Sequence, residues 1–170
     1  MGTFPGGNII RVTPTLSTDA YANNDVFFNA TEIPNAVSSR GGVSKLVSFS
    51  ILNEDDVAHD IDIVFMQVQT NLGTINDAVG SGSLWTNALA KSAKVIGMVK
   101  VDWSDATTDL VNNLVFTSTH SNAGVEPELP MLWQAEGGST SIYFSAVSRG
   151  GTPTCAADDY EFIFHVEYLN

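Results

Sequence analysis

The sequence predicts an all-β protein: an antiparallel β-sandwich, jelly-roll-like, with one short helix and a flexible N-terminal arm. Three observations predict it. Several segments alternate apolar and polar residues with a period of two, the mark of strands buried on one face. The polar surface comes from strand-and-turn residues, since 17 Val stand beside 16 Ser, 15 Thr and 13 Asn while only 15% of the 170 residues are charged. One helical pattern appears, with no strand–helix alternation of the kind a parallel sheet needs.

Met1 to Gly7 (MGTFPGG) has glycine joints and a proline, and reads as the arm, with Phe4 as an anchor. The remainder, 8–170, reads as one domain, since no linker or repeat divides it. Asn8 to Thr15 is a β-branched strand that Pro14 stops or marks as an edge. Asp25 to Thr31 is a second strand. Val43 to Asn53 is stronger: Val43, Lys45, Val47, Phe49 and Ile51 fall on one face, and Ser44, Leu46, Ser48, Ser50 and Leu52 on the other. Asp60 to Gln69 resumes after the acidic link Glu54 to His59, and the two runs read as a hairpin.

Ser83 to Lys94 is the one persuasive helix. Ser83 caps it, Leu84, Trp85, Ala88 and Leu89 share a face, and Lys91 and Lys94 sit in the last turn, where the dipole favours cations. Val95 to Asp102 is a strand. Asp109 to Thr117 is another, bent at Asn112-Asn113, and Met131 to Ala135 is short. Ser139 to Ser148 and Asp159 to Leu169 are strong. In the last, Tyr160, Phe162, Phe164, Val166 and Tyr168 form an apolar face.

Charge excludes partners more than it names them. Seven Lys plus Arg against 19 Asp plus Glu leave −12. Such a chain repels phosphate backbones and anionic bilayers, so neither nucleic acid nor a membrane is expected as partner. A strongly negative surface favours solubility, or contact with a basic partner. Cys155 is the single cysteine, which leaves no intramolecular disulfide and no cysteine-based zinc site. The opening residues lack the pattern of a signal peptide, and no apolar run reaches the roughly 18 residues of a membrane helix. Synthesis in the cytosol is the expectation.

No chemistry-bearing constellation stands out. Asp55, Asp56, His59, Asp60 and Asp62 form the densest ligand cluster but lack the spacing of a calcium loop, so a solvated turn is expected. His59, His120 and His165 are dispersed and read as surface or edge residues. Gly80-Ser81-Gly82 lacks the nucleophile elbow. Cys155 sits beside Asp158 and Asp159, which disfavour a reactive thiolate. Carboxylate pairs (Asp102 with Asp105, Glu126 with Glu128, Asp158 with Asp159) and three tryptophans, Trp85, Trp103 and Trp133, leave open a sugar-binding groove or a glycosidase. No catalytic residue, cofactor or metal is assigned.

The arm, the phrases IIRVTPTLSTDAYANNDVFF and TEIPNAV, the pair LVSFSILNEDD and DIDIVFMQV, and GGSTSIYFSAVSRGGTPT occur in an order that resembles the small β-rich virion proteins of tailed phages. The likeness is to capsid decoration (cement) proteins of marine and cyanobacterial phages, and covers most of the chain. It implies a non-enzymatic virion protein on the capsid surface that bridges capsomers, with the major capsid protein and further copies of itself, as a trimer, for partners. Apolar residues Phe4, Ile9 and Ile10 of the arm and first strand, with Trp85, are the candidate contacts. The alternative is a tail- or fibre-associated module that binds host glycan. A hydrolase ranks third.

Overall fold

The computed structural model describes residues 6–55, 57–81, 85–103, 107–110, 113–118 and 129–169. Residues 1–5 of the arm, with Phe4, lie outside them, as do Asp56, Ser83, Asp105, His120, Glu126 and Glu128. Ten strands and one helix follow in order: β1 (Gly7–Val12), β2 (Val26–Ile33), β3 (Val43–Asn53), β4 (Ile61–Met66), α1 (Asn87–Ser92), β5 (Val95–Val101), β6 (Thr107–Asp109), β7 (Leu114–Thr117), β8 (Met131–Gln134), β9 (Ile142–Ser148) and β10 (Tyr160–Leu169).

The strands form two antiparallel sheets. One runs β1-β10-β3-β7-β6, with β8 paired to β3 as well; the other runs β2-β9-β4-β5. β8 takes the first half of β3 and β7 the second half, so the two short strands lie end to end along one side of it. The pairs nest: β1 with β10, β2 with β9, β3 with β8 and β7, β4 with β5. A long hairpin rolled over so that successive pairs fall in alternate sheets gives this order, which is the jelly roll.

The nesting overturns the expected β3–β4 hairpin. β3 belongs to the first sheet and β4 to the second, so the acidic link between them crosses from one layer to the other. Strong neighbouring runs suggest a hairpin, but both strands have better partners: β10 for β3 over ten residues, and β9 and β5 for β4.

The faces of β3 are also not those of a regular strand. Ser44, Leu46, Phe49, Ile51 and Asn53 are buried. Opposite them, His165 pairs with Ser48 and Val166 with Leu46, so Val47 is the extra residue of a bulge. One inserted residue exchanges inside for outside, which turns Val43, Lys45 and Val47 away from the core while Phe49 and Ile51 stay in it. β10 keeps its alternation unbroken, with Tyr160, Phe162, Phe164 and Val166 all buried.

The expected strand over Asp109 to Thr117 is not continuous: Asp109 is the last residue of β6, Leu114–Thr117 is β7, and the Leu110 amide donates to Asn113 O. The helix is shorter than the pattern suggested. Its N-cap is Thr86, whose Oγ1 accepts from the Leu89 amide at 3.3 Å. Lys94, with φ of 51°, ends it in the left-handed region. No residue of α1 itself is buried.

Aromatic rings fill the space between the sheets. Phe28, Phe65 and Phe144 face Phe162, Phe164 and Trp133, and pairs such as Phe65–Trp133 and Phe144–Phe164 have centroids 5.1 Å apart. Each such pair adds about 0.5–1.5 kcal/mol beyond its buried area. At the β5 edge, a Cβ on Gly97 would lie 2.9 Å from Met131 Cε, so only glycine lets β8 of the first sheet close against β5 of the second without displacing that side chain.

Candidate functional site

Two outer surfaces hold the features a partner could use. The first is the outward face of β1, β10, β3 and β8. Ile10 turns inward at 6% exposure, so alternation puts Ile9 outward at 63%. Beside it, β10 contributes His165, whose Nδ1 lies 2.8 Å from Ser48 Oγ. The bulge brings Val47 to the same surface. Gly7, Asn8, Ile9, Val47, His165 and Val166 line a shallow hollow of about 580 Å³. Leu132 of β8, 58% exposed, stands across from Lys45 on this face. Ion pairs flank the apolar residues: Arg11 with Glu161 at 2.6 Å and Lys45 with Glu167 at 3.6 Å. Among the described residues β1 is the edge of its sheet, with β10 as its strand neighbour.

The second surface is the outward face of β4, β5 and β9. The long connection from β4 to β5 folds back over part of it. There Val26, Ala30, Met66, Leu72, Ala93 and Val147 form a small second core, with Trp85, Val79, Val64 and Tyr143 packed against it. Trp85 is thereby held half-buried. It lines a cleft of about 570 Å³ with Asn24, Val64, Leu72, Met98 and Arg149. Arg149 also lines an adjoining hollow of about 350 Å³, which holds Asp60, Asp62, Lys100 and Asp102. Arg149 Nε donates to Asp62 Oδ2 at 2.6 Å, and its guanidinium reaches Asn24 Oδ1 as well.

The acidic crossover is built into the fold rather than left as a solvated turn. Asp60 Oδ1 accepts from the Trp103 amide at 3.0 Å, Asp62 is buried against Arg149, and the Asp55 amide donates to Asn53 Oδ1. His59 is not a surface or edge residue: it is 3% exposed, with its ring 5.4 Å from that of Phe27. Burial pushes its pKa down to about 4. Sequence reasoning missed this because acidic neighbours suggested a wet loop. The neighbouring Val57 and Ala58 are exposed, so the local sequence carried no signal of the burial.

Cys155 is buried, and burial, with Asp55 and Asp159 nearby, pushes its thiol up to about 12. An inert thiol was the expectation, although the loop carrying it joins the core rather than the surface. Its Sγ and carboxylate oxygens of Asp55 and Asp159 lie within 4.8 Å of one another. Trp103 and Trp133 are buried at 2% and 0%, so of the three tryptophans Trp85 alone is placed to meet a sugar.

Comparison with protein-family models and with curated proteins finds no match. Among solved structures the chain is similar to one titled for Desmodium yellow mottle tymovirus, at 10% identity and a TM-score of 0.28, over 98% of this chain and 82% of that one. It is similar also to the semi-empty VLP of Macrobrachium rosenbergii nodavirus, at 9% identity and a TM-score of 0.34, over 98% of this chain and 94% of that one. Scores of this size establish neither a family nor an activity.

Proposed function

We propose that this chain is a non-enzymatic virion structural protein: a capsid decoration protein that binds the outer surface of a phage capsid and stabilises it by bridging capsomers. In this reading its partner is the major capsid protein, it works as a homotrimer, and it is made in the host cytoplasm. The observation that supports the reading is the Ile9 face. Ile9 is 63% exposed on β1, which is next to the arm and is an edge strand among the described residues. It suits a surface that another chain covers, with backbone pairing along β1 and the arm extending the contact through Phe4. The charge of −12 suits a basic surface on that partner.

The test is Ile9→Asp. The side chain is outside the core, so the variant still folds, at a cost of about 1 kcal/mol for Asp in a strand. Light scattering on the parent is expected to give the mass of three chains, and co-sedimentation with matching capsids to show binding. The variant is expected to lose affinity by about tenfold or more. A parent that is monomeric and never sediments with shells ends the proposal. A second reading, a tail- or fibre-associated glycan-binding module, is favoured by the half-buried Trp85 beside Arg149 and Asn24.

A further inference from the structure

The Trp85–Arg149 cleft lies on the opposite outer surface of the sandwich from Ile9, so a partner seated on the Ile9 face leaves it open. We propose that this cleft is a binding site for a neutral saccharide, which would let a protein anchored through one face hold glycan with the other. The inference deepens the glycan-binding reading and is independent of the capsid one.

The chemistry of the lining carries it. Sugar rings have apolar C–H faces and hydroxyl edges, so their sites combine an aromatic surface with polar groups already fixed in place. Trp85 is fixed by packing on the second core yet still lines the cleft. Val64 and Met98 continue the apolar floor from it. Asp62 and Asn24 hold the guanidinium of Arg149 from two sides. A guanidinium carries five N–H donors, and its side chain stays 39% exposed, so donors remain for a hydroxyl. Lys100, paired in register with Asp62 on β4, offers a further donor in the adjoining hollow.

Charge selects against acidic sugars. In the cleft lining the charge of Arg149 is matched by its partner Asp62, and in the adjoining hollow Asp60, Asp62 and Asp102 outnumber the cations Lys100 and Arg149. Within a chain of −12, a carboxylated, sulfated or phosphorylated glycan is repelled. The volume of about 570 Å³ falls within the roughly 300–1,000 Å³ of small-ligand sites. The two carboxylates nearest the turn have other work, Asp62 on Arg149 and Asp60 on the Trp103 amide, which fits holding a sugar rather than cleaving it.

The experiment uses the full chain and a panel of neutral di- and trisaccharides built from glucose, galactose, mannose and N-acetylglucosamine, with sialyllactose as the acidic probe. Saturation-transfer NMR reads binding, and tryptophan fluorescence reads its place. Trp103 and Trp133 are buried, so a spectral shift on binding reports Trp85. The expected result is binding of at least one neutral probe, weakened about tenfold by Trp85→Ala. Arg149→Lys, which keeps the charge but loses the fork, is expected to weaken it several-fold and covers the case in which Trp85→Ala does not fold. Ile9→Asp is expected to bind sugar as the parent does, so failure of the capsid reading and failure of this one are told apart. Absence of transfer to every neutral probe, a preference for sialyllactose, or unchanged binding in a folded Trp85→Ala overturns the proposal.

Discussion

Acidification is expected to destabilise this protein through His59 well before most of its carboxylates are protonated. The imidazole is 3% exposed, its Nε2 has no hydrogen-bond partner among the described residues, and its pKa falls to about 4 from an ordinary 6.5. The native state therefore holds it neutral, while the unfolded chain binds a proton there below about pH 6.5. Where the unfolded state binds more protons, stability rises with pH, so stability present at pH 7 is lost as pH falls from 6.5 towards 4. At about 1.36 kcal/mol per unit, the loss is about 2 kcal/mol by pH 5 and about 3 kcal/mol by pH 4. The assay is urea denaturation followed by tryptophan fluorescence at pH 7 and pH 5, for the parent and for His59→Leu. Leucine has a similar volume and no nitrogen to protonate, so the variant is expected to keep about 2 kcal/mol that the parent loses between the two pH values. Carboxylates common to both proteins cancel in that difference. Equal losses in parent and variant would refute the assignment.

Two further outcomes follow from the fold. Deleting Val47 removes the bulge and leaves β3 a regular strand, with Leu46 opposite Val166 and the next residue, Ser48, opposite His165. Leu46, Phe49 and Ile51 all keep their inward places, so the deletion is expected to be tolerated at a loss below about 2 kcal/mol. Val47→Ala, which keeps the bulge, is expected to cost less than about 1 kcal/mol, and urea titration followed by circular dichroism measures both; a deletion variant that does not fold would refute the placing of the extra residue at Val47. Cys155, buried and with its thiol pushed up to about 12, is expected to resist Ellman's reagent at pH 8 in the native protein and to react fully in urea. Rapid labelling of the folded chain would contradict the burial.

The strands were legible where alternation is unbroken. β3 has the expected ends, Val43 and Asn53, and β10 has the expected buried face. What periodicity could not reveal is the bulge, because an extra residue leaves a regular sequence pattern on a strand that is not regular. The apparent face Val43-Lys45-Val47-Phe49-Ile51 was apolar by coincidence, and β10 decided which half turned. Partner choice was also beyond reach. A strand carries no mark of its neighbour, so the crossover of β3 to β4 emerged only from long-range pairing. The helix start moved because Ser83 and Thr86 are both good caps. Of the candidate contacts, Ile9 lies on the open face and Ile10 in the core, a division alternation could have supplied. Trp85 lines a cleft whose polar half, Asp62 with Arg149, joins residues 87 apart in sequence and had no local signature.

Nested pairing also sets an order in time. Among the nested pairs the innermost strands, β4 and β5, need the shortest loop to meet and the outermost, β1 and β10, the longest. Loop-closure entropy therefore favours closing the roll from the inside and opening it from the outside, with β1 the strand that frays first. A β10 edge stripped of β1 is a template for the same strand from another molecule. Exchange of β1 between copies would reproduce every native hydrogen bond in trans, so this protein has a low-cost route to linking its own copies by a shared strand, without any surface contact that a single folded chain displays.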